Sequence, residues 1–60
     1  MASPGSRIRA ARKAAGLRQL DLARMTGRDQ SAVSRWERGR DLPTDPRVRA
    51  VLARELGVTL

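Results

Sequence analysis

The chain has 60 residues and contains no cysteine, histidine, phenylalanine or tyrosine, and only one tryptophan. Without cysteine or histidine, neither disulfides nor an ordinary zinc site can reinforce so short a fold. The same absences, a single lysine, no glycine-rich phosphate loop and no pair of acids set in a pocket argue against an enzyme. No apolar run approaches the roughly 20 residues of a membrane-spanning helix. The N-terminal MASPGSRIRAARK also lacks the apolar stretch of a signal peptide, so a cytoplasmic protein without metal or cofactor is expected. Val, Ile and Thr are too scattered for period-two strands. The apolar content is mostly Ala, Leu and Val, which suits short, closely packed helices. A chain of this size buries only about 60% of its unfolded surface, so its core is marginal.

What is abundant is positive charge. Thirteen cations face six acids, a net +7, and twelve of the thirteen cations are arginine. The planar guanidinium fork suits bidentate binding of phosphate and of guanine. Such a balance implies a nucleic acid, an anionic membrane or an acidic protein as partner. The membrane is the weakest of these, because the arginines are spread over several helices and none is matched by a broad bulky apolar face.

Helix signals divide the chain into an all-α, compact bundle of four short helices. Met1 to Gly5 reads as a flexible lead-in, and residues 6–60 as one domain. Ser6 caps a first helix from Arg7 to Ala15, with Ile8, Ala11 and Ala15 on one face, Arg12 at that face's edge and Gly16 as the stop. A second helix runs from Arg18 or Gln19 to Thr26, with Leu22, Ala23 and Met25 inward and Leu20 outward. Gly27 turns the chain. A third helix spans Gln30 to Arg38 between an Asp29 cap and the Gly39 stop. After the GRDLPT loop, Thr44 or Asp45 caps a fourth helix. It carries Pro46 in its first turn, ends at Leu56 and turns Val48, Val51, Leu52 and Leu56 inward, with Glu55 inside that arc. At about 100° per residue, the third helix is two-sided. Ala32, Val33 and Trp36 form the core side, and Gln30, Ser31, Ser34, Arg35 and Arg38 the outer side. Glu37, its one acid, lies on the border beside Val33.

Helix, small turn and helix over about residues 18–38 is a helix-turn-helix pattern. Ala23 is small where the helices cross, and Gly27 sits where the turn needs positive φ. Through RIRAARKAAGL (7–17), QLDLA (19–23), Gly27, SAVSRWERGR (31–40), Pro43 and LARELGV (52–58), the chain resembles the helix-turn-helix domains of phage repressors, Cro proteins and related bacterial regulators of the xenobiotic-response-element type. Members usually have five helices, so the resemblance implies either a truncated domain or a minimal version. It also implies a transcriptional regulator, in the first instance a repressor, that binds double-stranded operator DNA, commonly as a homodimer on a palindromic site. Glu37 is then expected to pair with Arg12 as a structural clasp. Gln30, Ser31 and Arg35 match positions that read base edges, and Gln19 matches one that meets the DNA backbone. Ser34, central on the outer arc, is a further contact, to a base or else to a phosphate. Arg18, Arg38 and Arg40 are phosphate cations by charge and position, and Arg12 can also reach a phosphate. Two departures carry expectations of their own. Arg18 stands where a Ser or Thr cap is usual, so the second helix should start less firmly. Arg28 replaces an apolar residue after the turn, so its aliphatic stem should cover the core there. Trp36 is expected in the core rather than stacked on a base. The alternative reading is a protein-interaction module that keeps the fold without operator specificity and uses the exposed Leu20.

Overall fold

In the computed structural model, which describes residues 3–60, four helices follow one another: α1 (Pro4–Ala14), α2 (Gln19–Thr26), α3 (Gln30–Glu37) and α4 (Pro46–Leu56). Each starts on a recognisable signal. Asp29 accepts from Ala32 N at 2.8 Å to cap α3, and Asp45 accepts from Arg47 N at 2.9 Å to cap α4, satisfying N–H groups that a helix leaves unpaired. Ahead of α2 the cap is inverted. Arg18 cannot accept, but the Asp21 carboxylate reaches back to Arg18 N at 2.8 Å and to its guanidinium at 3.0–3.1 Å. The helix therefore starts firmly after all. That guanidinium holds the Asp21 carboxyl at about pH 2, well below its ordinary range.

The first helix begins earlier than its sequence signals suggest. Ser3, not Ser6, is the N-cap, accepting from Ser6 N at 3.1 Å, and Pro4 occupies the first turn. Pro4 and Gly5 therefore belong to α1 rather than to a flexible lead-in; Met1 and Ala2 lie outside the described residues. Gly5 is buried, and a Cβ built on it would fall 2.2 Å from the Trp36 carbonyl oxygen and 3.1 Å from that of Glu37. Only a residue without a side chain lets the start of α1 lie against the end of α3.

α3 packs on both α1 and α2, and α4 closes the bundle against the same two helices. Ile8, Leu22, Val33 and Leu52 are fully buried at the centre, joined by Ala23, Ala32, Trp36, Val48 and Val58. Trp36 is thus a core residue, 2% exposed. Gly27, at φ 70°, makes the tight turn, and the next amide, Arg28 N, bonds back to Ala23 O at 2.9 Å. Several residues differ from the sequence reading. Met25 is 37% exposed, as much as Leu20. The buried arc of α2 is centred between Leu22 and Ala23, where Thr26 lies, and at about 100° per residue Met25 falls about 110° from that centre. Ala15 is the exposed C-cap of α1. α3 ends at Glu37, with Arg38 as its C-cap. Val51 and Leu56 are only half-buried. Glu55 points outward beside Arg54 at 3.2 Å, on the open edge of α4. Arg28 is exposed and does not roof the core.

Gly5→Ala should destabilise the fold by about 1–3 kcal/mol through overpacking against backbone that cannot move independently. Chemical denaturation at constant m-value measures it, and an unchanged midpoint would show that α1 does not close on α3.

Candidate nucleic-acid interface

The outer face of α3 is held in place by an ion pair beneath it. Arg12 Nε donates to Glu37 Oε2 at 2.6 Å and Nη2 to Oε1 at 3.0 Å, while Nη1 donates to Leu17 O at 2.8 Å. The Arg12 and Glu37 side chains are 10% and 3% exposed. This two-pronged bridge joins α1 to the last residue of α3 and fixes the rotation of α3 about its own axis. Burial pushes the Glu37 carboxyl up. Hydrogen bonds from Arg12 and Gln19, with the positive charges of Arg12 and Arg9, outweigh that effect and hold it below its ordinary range. Arg12, bonded to Glu37, is held above its own.

From this bridge a chain of hydrogen bonds runs outward. Gln19 Nε2 donates to Glu37 Oε1 at 3.1 Å, and Gln30 Nε2 approaches Gln19 Oε1 at 3.5 Å, a long contact. The amide end of Gln19 must face the carboxylate, because its carbonyl end would be repelled. That leaves Gln19 Oε1 turned toward the exposed Gln30. A side chain at the first turn of α3 is in this way linked, through Gln19 of α2, to the ion pair that ties the other end of α3 to α1.

The structure brings most of the expected site residues together. Gln30, Ser31, Ser34 and Arg35 line one cleft with Gln19 and Arg38. Of these, Gln30, Ser31, Arg35 and Arg38 are exposed and Ser34 is half-buried. A second cleft adjoins it, lined by Arg9, Arg12, Gln19, Ser34, Glu37 and Arg38. Arg38 also bonds Ser34 O through Nε at 3.4 Å. Arg40 is exposed at the start of the loop after α3. Arg18 is exposed but ion-paired with Asp21, so its charge is partly spent within the protein. Arg12 commits three of its five N–H groups internally, leaving two for any outside anion. Arg9 is absent from the sequence reading, yet it sits on the second cleft. Its spacing from Arg12, one turn along α1, is the signal that could have found it.

The arrangement is a helix that exposes hydrogen-bonding side chains, with cations along its flank. An α-helix fits the major groove of DNA, where base edges present distinct donor and acceptor patterns. No helix among the described residues is long and apolar enough to cross a membrane.

Comparison with known proteins gives the same picture. The Helix-turn-helix family model matches residues 8–60. A crystal structure of the P22 c2 repressor protein, in complex with synthetic operator 9T in the presence of Tl+, superposes with a TM-score of 0.85. Its sequence is 34% identical, and the match covers 98% of this chain and 88% of that one. No curated protein matches.

Replacing Glu37 by Gln leaves the Arg12 guanidinium buried without its counter-charge, and should cost about 3–5 kcal/mol. Because the folded Glu37 carboxyl is held low, its contribution is present above the unfolded carboxylate range and is lost as pH falls through its folded value. Wild-type stability should therefore decline with acidification more steeply than that of Glu37→Gln. Parallel pH profiles of the two proteins would show that the folded Glu37 carboxyl is not held below its unfolded range.

Proposed function

Since the chain belongs to the phage repressor and Cro type of helix-turn-helix proteins, we propose that it is a transcriptional regulator that binds specific double-stranded DNA by laying α3 in the major groove. The observation that carries this reading is the indexed crest of α3, on which Gln30, Ser31, Ser34 and Arg35 share one accessible face. In this reading these four meet base edges. Gln30 offers both ends of an amide to adenine, and Arg35 a bidentate fork to guanine. Gln19, Arg38 and Arg40 meet phosphates, with Arg9 on the same flank. Arg18 and Arg12 add what their internal partners leave free. The amino-terminal N–H groups of α2 strengthen the phosphate site at Gln19.

The regulator acts as a repressor by occupying its site, works in the cytoplasm where DNA is accessible, and has no catalytic role. Two copies on a palindrome would place their α3 helices about 34 Å apart, or a multiple of that, on one face of the duplex. Selection from random duplex DNA tests the whole reading. It should return one preferred sequence, and a palindromic winner would indicate a dimer. Failure to enrich any sequence, together with capture of a protein partner in the absence of DNA, would replace it with the protein-interaction reading.

On the selected site, Arg35→Ala should lose about 1–3 kcal/mol of discrimination at one base pair, whereas Arg40→Ala should weaken specific and random DNA alike. Equal losses on both DNAs for the Arg35 variant would remove it from base reading.

A further inference from the structure

Three of the cations assigned so far, Arg9, Arg12 and Arg38, lie together on one side of α3. An α-helix with its side chains is about 10–12 Å across, and the major groove is about 12 Å wide. A helix lying in that groove therefore faces a sugar-phosphate strand on each flank. One flank of α3 carries Arg9, Arg12, Gln19 and Arg38. The other opens on a different cleft of about 380 Å³, between the start of α3 and the loop that follows it. Arg35 borders this cleft as well as the reading cleft, so it marks the crest between the two flanks.

Two acids, Asp29 and Asp41, line this second flank. Each uses one carboxylate oxygen to accept a backbone amide, from Ala32 N at 2.8 Å and from Leu42 N at 2.9 Å. Neither is paired with a cation among the described residues. A phosphate strand arriving here meets two negative charges. Besides Arg35 on the crest, the only cation lining the cleft is Arg28, exposed and without an ion-pair partner among the described residues. Its backbone is fixed by the turn, through the bond from Arg28 N to Ala23 O at 2.9 Å.

We propose that Arg28 is a DNA-backbone anchor for the second strand, gripping a phosphate on the flank of α3 opposite Gln19 and offsetting the Asp29 and Asp41 charges there. This rests on the placement of α3 in the major groove. It adds a contact on the second groove wall and explains how an arginine is accommodated directly after the turn glycine. It is exposed rather than folded over the core, and it lines the cleft where the acids would otherwise repel a phosphate.

The test measures binding of duplex DNA, both the selected sequence and random DNA, across a salt series, with thermal unfolding confirming that each variant folds. Removing one phosphate contact should lower the slope of log K against log salt by about 0.9. The loss of affinity should be about eightfold at 0.1 M salt and vanish near 1 M. Arg28→Gln is expected to show this on both DNAs, and Arg28→Lys to retain most of the slope. Asp41→Asn keeps an oxygen for Leu42 N while removing a charge, so Arg28→Gln with Asp41→Asn should recover part of the affinity. An unchanged slope for Arg28→Gln overturns the proposal, and so does a loss confined to a single base pair. If the wild-type protein prefers no sequence yet Arg28→Gln lowers the slope on random DNA, the operator reading fails and the anchor stands.

Discussion

Everything on the outer face of α3 depends on the bridge between Arg12 and Glu37. A helix of eight residues is too short to be stable alone, since isolated helices below about 12–15 residues are marginal in water. It is held by what it packs on. The apolar contacts of Ala32, Val33 and Trp36 set how close α3 lies to the bundle, but apolar contacts are not directional and tolerate some rotation about the helix axis. The bidentate bridge is directional. With both side chains almost fully buried, α3 cannot rotate far without separating two charges in a medium that screens them poorly. The geometry that a base reader needs is therefore set from inside the protein before any ligand is present.

Gly5 serves the same constraint from the opposite side. Arg12 fixes the carboxyl end of α3 through a side chain, and Gly5 fixes it through close approach, its Cα lying against the Trp36 and Glu37 carbonyls. Two points of α1, near its start and near its end, thus bear on one turn of α3. In a chain with so small a core, a few such contacts stand in for the extensive packing of a larger domain.

Much of this was legible in the sequence, for identifiable reasons. Helix limits set by Asp29, Asp45, Gly27 and Gly57 follow from local chemistry, and the structure keeps them. The inward positions of α3 follow from its strong two-sidedness. Some of the misses depend on neighbours distant in sequence. Gly5 looks like a flexible residue until Trp36 is placed over it. Val58 follows the last helix, has no periodicity to mark it, and is buried only because the chain turns back over the bundle. Met25 satisfies an apolar pattern, but Thr26 occupies the middle of the buried arc with its hydroxyl bonded to Leu22 O at 2.9 Å. In the candidate site, the outer residues of α3 could be read from helical angles. The link from Glu37 through Gln19 to Gln30 could not, since Gln19 opens a different helix and no periodicity in sequence brings it between the other two.

Acids stand within this basic surface at three places, Glu37, Asp29 and Asp41. The net charge attracts DNA at long range without regard to sequence, so it cannot by itself distinguish one site from another. Discrimination requires that the attraction be wasted when the fit is wrong. Glu37 is internally neutralised and lends orientation to Gln19 and Gln30. Asp29 and Asp41 are not neutralised by any ion pair among the described residues, and they make their flank of α3 repulsive to a phosphate that does not also meet a cation. A duplex lying at a shifted register or angle would bring phosphates toward these carboxylates without the compensating guanidinium. In the proposed docking, the acids of this small domain would therefore act on specificity in two ways. One positions the residues assigned to base reading, and two would penalise the placements in which those residues meet the wrong bases.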